Sequence, residues 1–171
     1  TWKTNVKEGG GALSFYFSHG LYYLEHFAGT LVDAKSLFTH SPLSLNGGEV
    51  GIDILLKFKS GVTGNAHVSC NSPGFIRHRL MFICERGVIV LENKNAIVDN
   101  FTVKTYGEDG EHVVKILKDK NLKNEDERAK IVRKLAQRFV NACIHKKPMI
   151  PSFADGLRVQ ELIRTIRSKK I

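Results

Sequence analysis

Three cysteines, four prolines, one tryptophan and no long apolar run are all that 171 residues offer to the classes defined by such features. Cys70, Cys84 and Cys143 are odd in number and far apart, with no C-x-x-C pair. That pattern excludes a disulfide framework and reads as buried free thiols in a reducing compartment, so the cytoplasm is the expected address. Asp53 and Lys57 interrupt residues 50–58 well before the ~18 apolar residues a membrane helix needs, so no membrane partner is expected. No basic segment followed by an apolar one opens the chain, and no secretory leader is expected. The first residue is Thr1 rather than Met, which points to a processed product or a piece of a longer protein. No strand–Gly-x-Gly-x-x-Gly–helix unit is legible, so no mononucleotide-binding site is expected in this chain. Internal repeats, Pro/Ser-rich linkers and composition breaks are missing too, and residues 1–171 read as a single domain.

What is present is an ordinary globular composition, 42% hydrophobic and 25% charged, with 26 Lys and Arg against 17 Asp and Glu. The resulting +9 permits phosphate-bearing partners. Much of the excess lies over 115–147 and in the tail (Arg158, Arg164, Arg167, Lys169, Lys170), at helical spacing, and reads as solvated faces. No RNA-binding aromatic signature or zinc-finger spacing accompanies it, so nucleic acid is not an expected partner.

Gly9-Gly10-Gly11 precedes an apolar helical segment from Ala12 to about Ala28, with Gly29 placed as its C-terminal cap. Strand character follows over 31–38, 50–58, 62–70, 77–84, 88–92, 96–104 and 113–117. Asn46-Gly47-Gly48, Lys59-Ser60-Gly61, Glu85-Arg86-Gly87 and Gly107-Glu108-Asp109-Gly110 separate them with hairpin chemistry, which implies mostly antiparallel pairing. Residues 64–70 alternate apolar with polar, as a strand wet on one side should. Residues 80–84 and 88–91 are apolar on both faces and call for cover on each. Arg128, Ile131, Val132, Leu135, Phe139, Ala142 and Cys143 then form one helical stripe over about 125–145, expected to lie against a core. A last helix over about 154–168 turns Val159, Leu162, Ile163 and Ile166 inward, with Asp155 in its first turn where the helix dipole favours an anion. The sum is an α+β fold, an open and mostly antiparallel sheet with helices packed on one face.

The Gly-led segment is where chemistry could sit. Three glycines let another chain or a ligand come close to the helix start, and that end favours anions. Phe15, His19 and Tyr22 stand at i, i+4 and i+7 on one face. An apolar-helix histidine is commonly a hydrogen-bonded core residue, and the alternative is a proton-exchanging group, since imidazole changes charge near neutral pH. His19 and His26 share a face without a third ligand at metal spacing, so no metal is expected.

This stretch resembles the opening helix of the substrate domain in the Gfo/Idh/MocA oxidoreductases, whose pattern is G-G-G-x-L-x-D-x-G-x-H-x-x-D after a Trp and a basic residue, here Trp2-Lys3. Residues 58–64 resemble the family's F-x-x-G-x-x-G hairpin, residues 80–92 its paired strands, and residues 151–158 its closing P-x-x-x-D-G segment. Ser18-His19 with Leu21-Tyr22-Tyr23-Leu24 is most similar to a branch that often acts on nucleotide-linked sugars for surface polysaccharides. The resemblance implies the substrate half of an NAD(P)-dependent oxidoreductase working on a sugar or nucleotide sugar. His19 is then the catalytic proton carrier, and Lys3, Phe15, Tyr22 and Arg77 are candidate substrate contacts. It also implies that the nucleotide-binding domain and its lysine lie outside this chain, which alone binds no NAD or NADP and is inactive, and that copies pair through the sheet. The sequence departs from the pattern where Phe15 and Tyr22 stand for the family's two aspartates and Phe17 for its glycine. A non-catalytic binding or assembly module of the same fold is the alternative.

Overall fold

Alternation along the first three strands dictates which side of their sheet is dry. In the computed structural model, which describes residues 2–42, 47–74, 76–95, 100–117, 122–123 and 125–169, β1 (Leu31–His40), β2 (Glu49–Phe58) and β3 (Thr63–Ser69) form an antiparallel sheet in that order. Ala34 faces Leu56, Ser36 faces Ile54 and Phe38 faces Ile52, with Ala66 and Val68 continuing the same face on β3. Residues directly opposite share a face, so this side collects the apolar set. Asp33, Lys35, Asp53, Lys57 and His67 alternate onto the other side.

Helices close the apolar side. Residues Leu13–Phe17 make a π-helical turn that runs into α1 (Ser18–Ala28), and α3 spans Phe153–Ser168. Leu13 and Leu21 from the first helical segment and Val159, Leu162, Ile163 and Ile166 from α3 pack on Ile52, Ile54, Leu56 and Phe58 in one buried cluster. Each such side chain contributes about 1.5–3 kcal/mol on leaving water. Gly29, at φ 86°, ends α1 by donating its N–H to the Glu25 carbonyl at 2.9 Å, the cap read from the sequence. Arg158 ties the same corner, donating to both Glu25 carboxylate oxygens and to the Leu31 carbonyl. At the start of α3, the Ser152 hydroxyl accepts the Asp155 N–H while the Asp155 carboxylate accepts the Ser152 N–H. This reciprocal cap goes beyond the dipole role expected for Asp155.

These elements belong to one compact unit, residues 1–71 with 150–171; residues 72–149 form another. In the latter, β4 (His78–Cys84), β5 (Gly87–Asn93), β6 (Thr102–Gly107) and β7 (Gly110–Val114) make an antiparallel meander. The strands therefore divide between two sheets. Gly87 at the β4–β5 turn has φ 147°, and a Cβ there would come 2.1 Å from the Tyr106 carbonyl, so only glycine fits. Leu80 pairs with Leu91 and Phe82 with Ile89 on one face, and Met81 with Val90 and Ile83 with Val88 on the other. Both faces are apolar, as read from the sequence.

Two expectations need correction. The stripe on α2 (Glu127–His145) does not lie against a core: Ile131, Val132, Leu135 and Phe139 are 45–64% exposed. Periodicity gives a helix an apolar face but does not supply a surface for it. Likewise Cys70, Cys84 and Cys143 are free but exposed rather than buried. Cys70 lies just past the end of β3, Cys84 closes β4 at a turn, and Cys143 sits on the open α2. Asn46 and residues 96–99 of the expected turn and strand lie outside the described residues.

Candidate functional site

The glycines at the helix start are needed by the chain's own backbone and side chains. A Cβ at Gly10 would meet the Trp2 carbonyl at 2.2 Å, and one at Gly11 would meet the Glu49 carboxylate at 2.2 Å. Glu49, the first residue of β2, is buried. Its Oε1 accepts the Leu13 N–H at 3.2 Å and the Arg167 guanidinium at 3.1 Å, and Arg167 also donates to the Gly10 carbonyl at 2.8 Å. The anion favoured at this helix start is therefore an internal one. A second anion such as a pyrophosphate would meet the Glu49 charge there, so these residues do not fit a dinucleotide. Neither Glu49 nor Arg167 was legible as a partner of the glycines, since they lie 36 and 157 positions from Leu13 and Gly10.

Downstream of this anchor the helix presents aromatic side chains. Phe15 is half-buried, with the Trp2 ring edge-on at 5.6 Å and the Tyr16 ring edge-on at 4.7 Å. The Lys3 ammonium sits 4.4 Å from the centroid of the Phe15 ring, a cation–π contact. His19, in the first turn of α1, is exposed rather than sealed in the core. Tyr22 is half-buried and packs against the buried cluster. The structure thus gathers Lys3 and Phe15 directly and sets His19 one turn further along. Arg77 belongs to the other unit, residues 72–149, where it pairs with Glu92 at 3.0 Å.

Phe17, where the resemblance places a glycine, has its ring against Gly20, where a Cβ would approach within 2.8 Å. The large side chain and the missing one are thus paired three residues apart, a signal present in the sequence but passed over. The π-helical turn at Leu13–Phe17 carries Phe15, and such widened turns recur at functional sites. Nearby, burial pushes the Tyr23 hydroxyl to a higher pKa, and partial burial with the Glu49 charge does the same to the Cys70 thiol. Among the described residues, no three His, Cys, Asp or Glu side chains converge as a metal site requires. Two shallow surface depressions, each near 600 Å³, lie at the β4–β5 and β6–β7 turns and on the polar face of β1–β3.

Residues 1–90 match the sequence model of the GFO/IDH/MocA C-terminal domain. The fold is similar to levoglucosan dehydrogenase in complex with NADH and levoglucosan, at a TM-score of 0.77 and 18% identity, covering 99% of this chain and 50% of that one. UDP-N-acetylglucosamine 3-dehydrogenase GnnA from Acidithiobacillus ferrooxidans gives a TM-score of 0.72 at 15% identity over 93% of this chain and 47% of the other. Aldose-aldose oxidoreductase from Caulobacter crescentus, complexed with glycerol, gives 0.74 at 16% identity over 99% and 48%. The chain spans about half the length of these structures, and their likeness is one of fold. Among curated proteins none matches the sequence significantly.

Proposed function

The chain belongs to the Gfo/Idh/MocA family, and we propose that it is the substrate-binding half of an NAD(P)-dependent oxidoreductase acting on a sugar or nucleotide-sugar hydroxyl. The observation that carries this reading is an exposed His19 on a Gly-led helix inside the matched residues. In the intact enzyme His19 exchanges a proton with the reacting carbinol oxygen. The bound nicotinamide supplies the hydride chemistry, and the Glu49 carboxylate at the Gly-led helix start supports a cofactor held outside these residues. Lys3 and Tyr22 flank the substrate. Copies of the chain associate through the apolar faces of β4–β7, and the enzyme works in the cytoplasm on precursors of surface polysaccharide.

The test is turnover by the full-length protein over a panel of sugars and nucleotide sugars with NAD or NADP, followed by nicotinamide absorbance. His19→Ala is expected to lower kcat by about 10²–10⁴ while sugar binding, measured by calorimetry, persists. Unchanged turnover in that variant would remove His19 from the chemistry. One observation favours a second reading, a non-catalytic binding module: Phe15, in place of a carboxylate, holds the Lys3 ammonium by its ring. If the wild-type protein binds sugars but turns over none of the panel with either cofactor, the module reading is the correct one.

A further inference from the structure

Helix α2 wears its polar side inward. Among its described residues only Lys130 is buried, and about 100° of turn per residue sets that lysine directly opposite Phe139. Ile131, Leu135 and Phe139 follow one another at i, i+4 and i+8, with Val132 beside them, and all four are exposed. A surface helix of a globular protein ordinarily turns the other way, apolar stripe toward the core. The charge on this helix is equally one-sided. Glu125 and Asp126, which precede it, pair with Arg133 and Arg128. From Arg128 to Lys147 no further Asp or Glu occurs, against seven Lys and Arg. Arg133 and Arg138 stand at the two borders of the apolar arc, and Lys146-Lys147 follow its C-terminal end.

We propose that α2 binds an anionic lipid surface, lying flat with its Ile131–Leu135–Phe139 stripe among the acyl chains and with Arg133, Arg138, Lys146 and Lys147 against lipid phosphates. Apolar area alone would suit a protein cover as well as a bilayer. Charge separates the two. Cations at both borders of the stripe, without the carboxylates that usually alternate with them, fit a surface that is apolar in its middle and uniformly anionic around it. The long stems of Lys and Arg reach headgroup level while the stripe stays inserted. None of the described helices is long and apolar enough to cross a membrane, and a helix that lies on the surface need not be. The inference uses none of the residues of the sugar-oxidoreductase reading and stands or falls apart from it.

The test is flotation of the full-length protein with vesicles of phosphatidylcholine alone and with vesicles that also contain phosphatidylglycerol, at low and at high salt. Partition onto the phosphatidylglycerol vesicles should be stronger by about tenfold or more and should fall as salt rises. Phe139→Glu should weaken it by about tenfold, through the stripe. Lys146→Gln with Lys147→Gln should do the same through charge. All three positions are exposed, so the variants should keep the wild-type melting temperature. Equal partition onto both kinds of vesicle, or partition that Phe139→Glu leaves unchanged, would overturn the proposal. Failure to partition onto either would overturn it too, and loss of an oligomer on Phe139→Glu, seen by sedimentation, would then assign the stripe to a contact between copies.

Discussion

The two sheets of this chain solve the same packing problem to different degrees. β1–β3 put most of their apolar residues on one face and their charges on the other, where Leu37 and Leu55 are exposed among them, and the helical segments from α1 and α3 seal the apolar face until Ile52 and Ile166 are fully buried. β4–β7 carry apolar residues on both faces, and Ile83, Met81 and Ile89 stay 79%, 50% and 40% exposed. Pattern and cover agree in the first case. In the second the pattern calls for more cover than the described residues supply. An antiparallel sheet wet on one side ordinarily has a polar face, and large exposed apolar faces are where association sites are commonly found.

The largest expected effect tests that contrast directly. Ile166→Ala should cost about 2–5 kcal/mol in urea unfolding, because the cavity it leaves is walled by β1–β3. Ile83→Ala should stay within about 0.5 kcal/mol, as for any exposed side chain. If copies associate through β4–β7, Ile83→Lys should lower the sedimentation coefficient at micromolar concentration without shifting the unfolding midpoint of dissociated chains. A large stability loss from Ile83→Ala would mean that the second sheet is covered after all.

The next effect sharpens the account of the sealed unit. Arg167 is the counter-ion of a buried Glu49, and Arg167→Met should destabilise by about 3 kcal/mol by leaving that carboxylate unpaired. Adding Glu49→Gln should recover part of the loss, since the two residues act on one another. This pair also marks the limit of what the sequence shows. The turns at Gly61, Gly87 and Gly110, the strands they join, the cap at Gly29 and the stripe of α3 are local, and period and turn chemistry made them legible. Glu49 and Arg167 meet the glycines only through the fold, so nothing near Gly9–Gly11 could announce them. The division into two sheets and the exposure of α2 escaped for the same reason: alternation tells which face is apolar, not what stands opposite. Within the candidate site, His19, Lys3 and Phe15 were legible from the motif, whereas the contacts of Trp2 and the Phe17–Gly20 pairing depend on side-chain directions.

A smaller change touches the cap of α3. Ser152→Ala should cost about 1 kcal/mol, read from the same unfolding curves. Its partner Asp155 has a carboxyl held below the usual range by the Ser152 backbone N–H and hydroxyl. A lowered folded pKa means that the stabilisation is fully present above the unfolded value of about 3.9 and is lost as pH falls through the folded one. The cap is therefore indifferent to mild acid, and NMR titration should place the Asp155 carboxyl below an ordinary aspartate.

The smallest effect belongs to the other unit and falls in a different pH window. His78, at the start of β4, has the Phe101 ring edge-on at 5.5 Å, and desolvation lowers its pKa. A depressed histidine favours the neutral form in the folded state, so its contribution is intact above about pH 6.5 and is lost as pH falls toward the lower folded value. Between pH 7 and 5, β4–β7 should therefore lose stability while the Asp155 cap of α3 keeps its own. Amide exchange on β4 and on α3 over that range separates the two, with faster exchange expected on β4 alone. Phe101→Ala should return the His78 titration toward its ordinary value and shrink the β4 response. Should His78 titrate at its ordinary value in the wild-type chain, the two units would not differ in acid sensitivity through this residue.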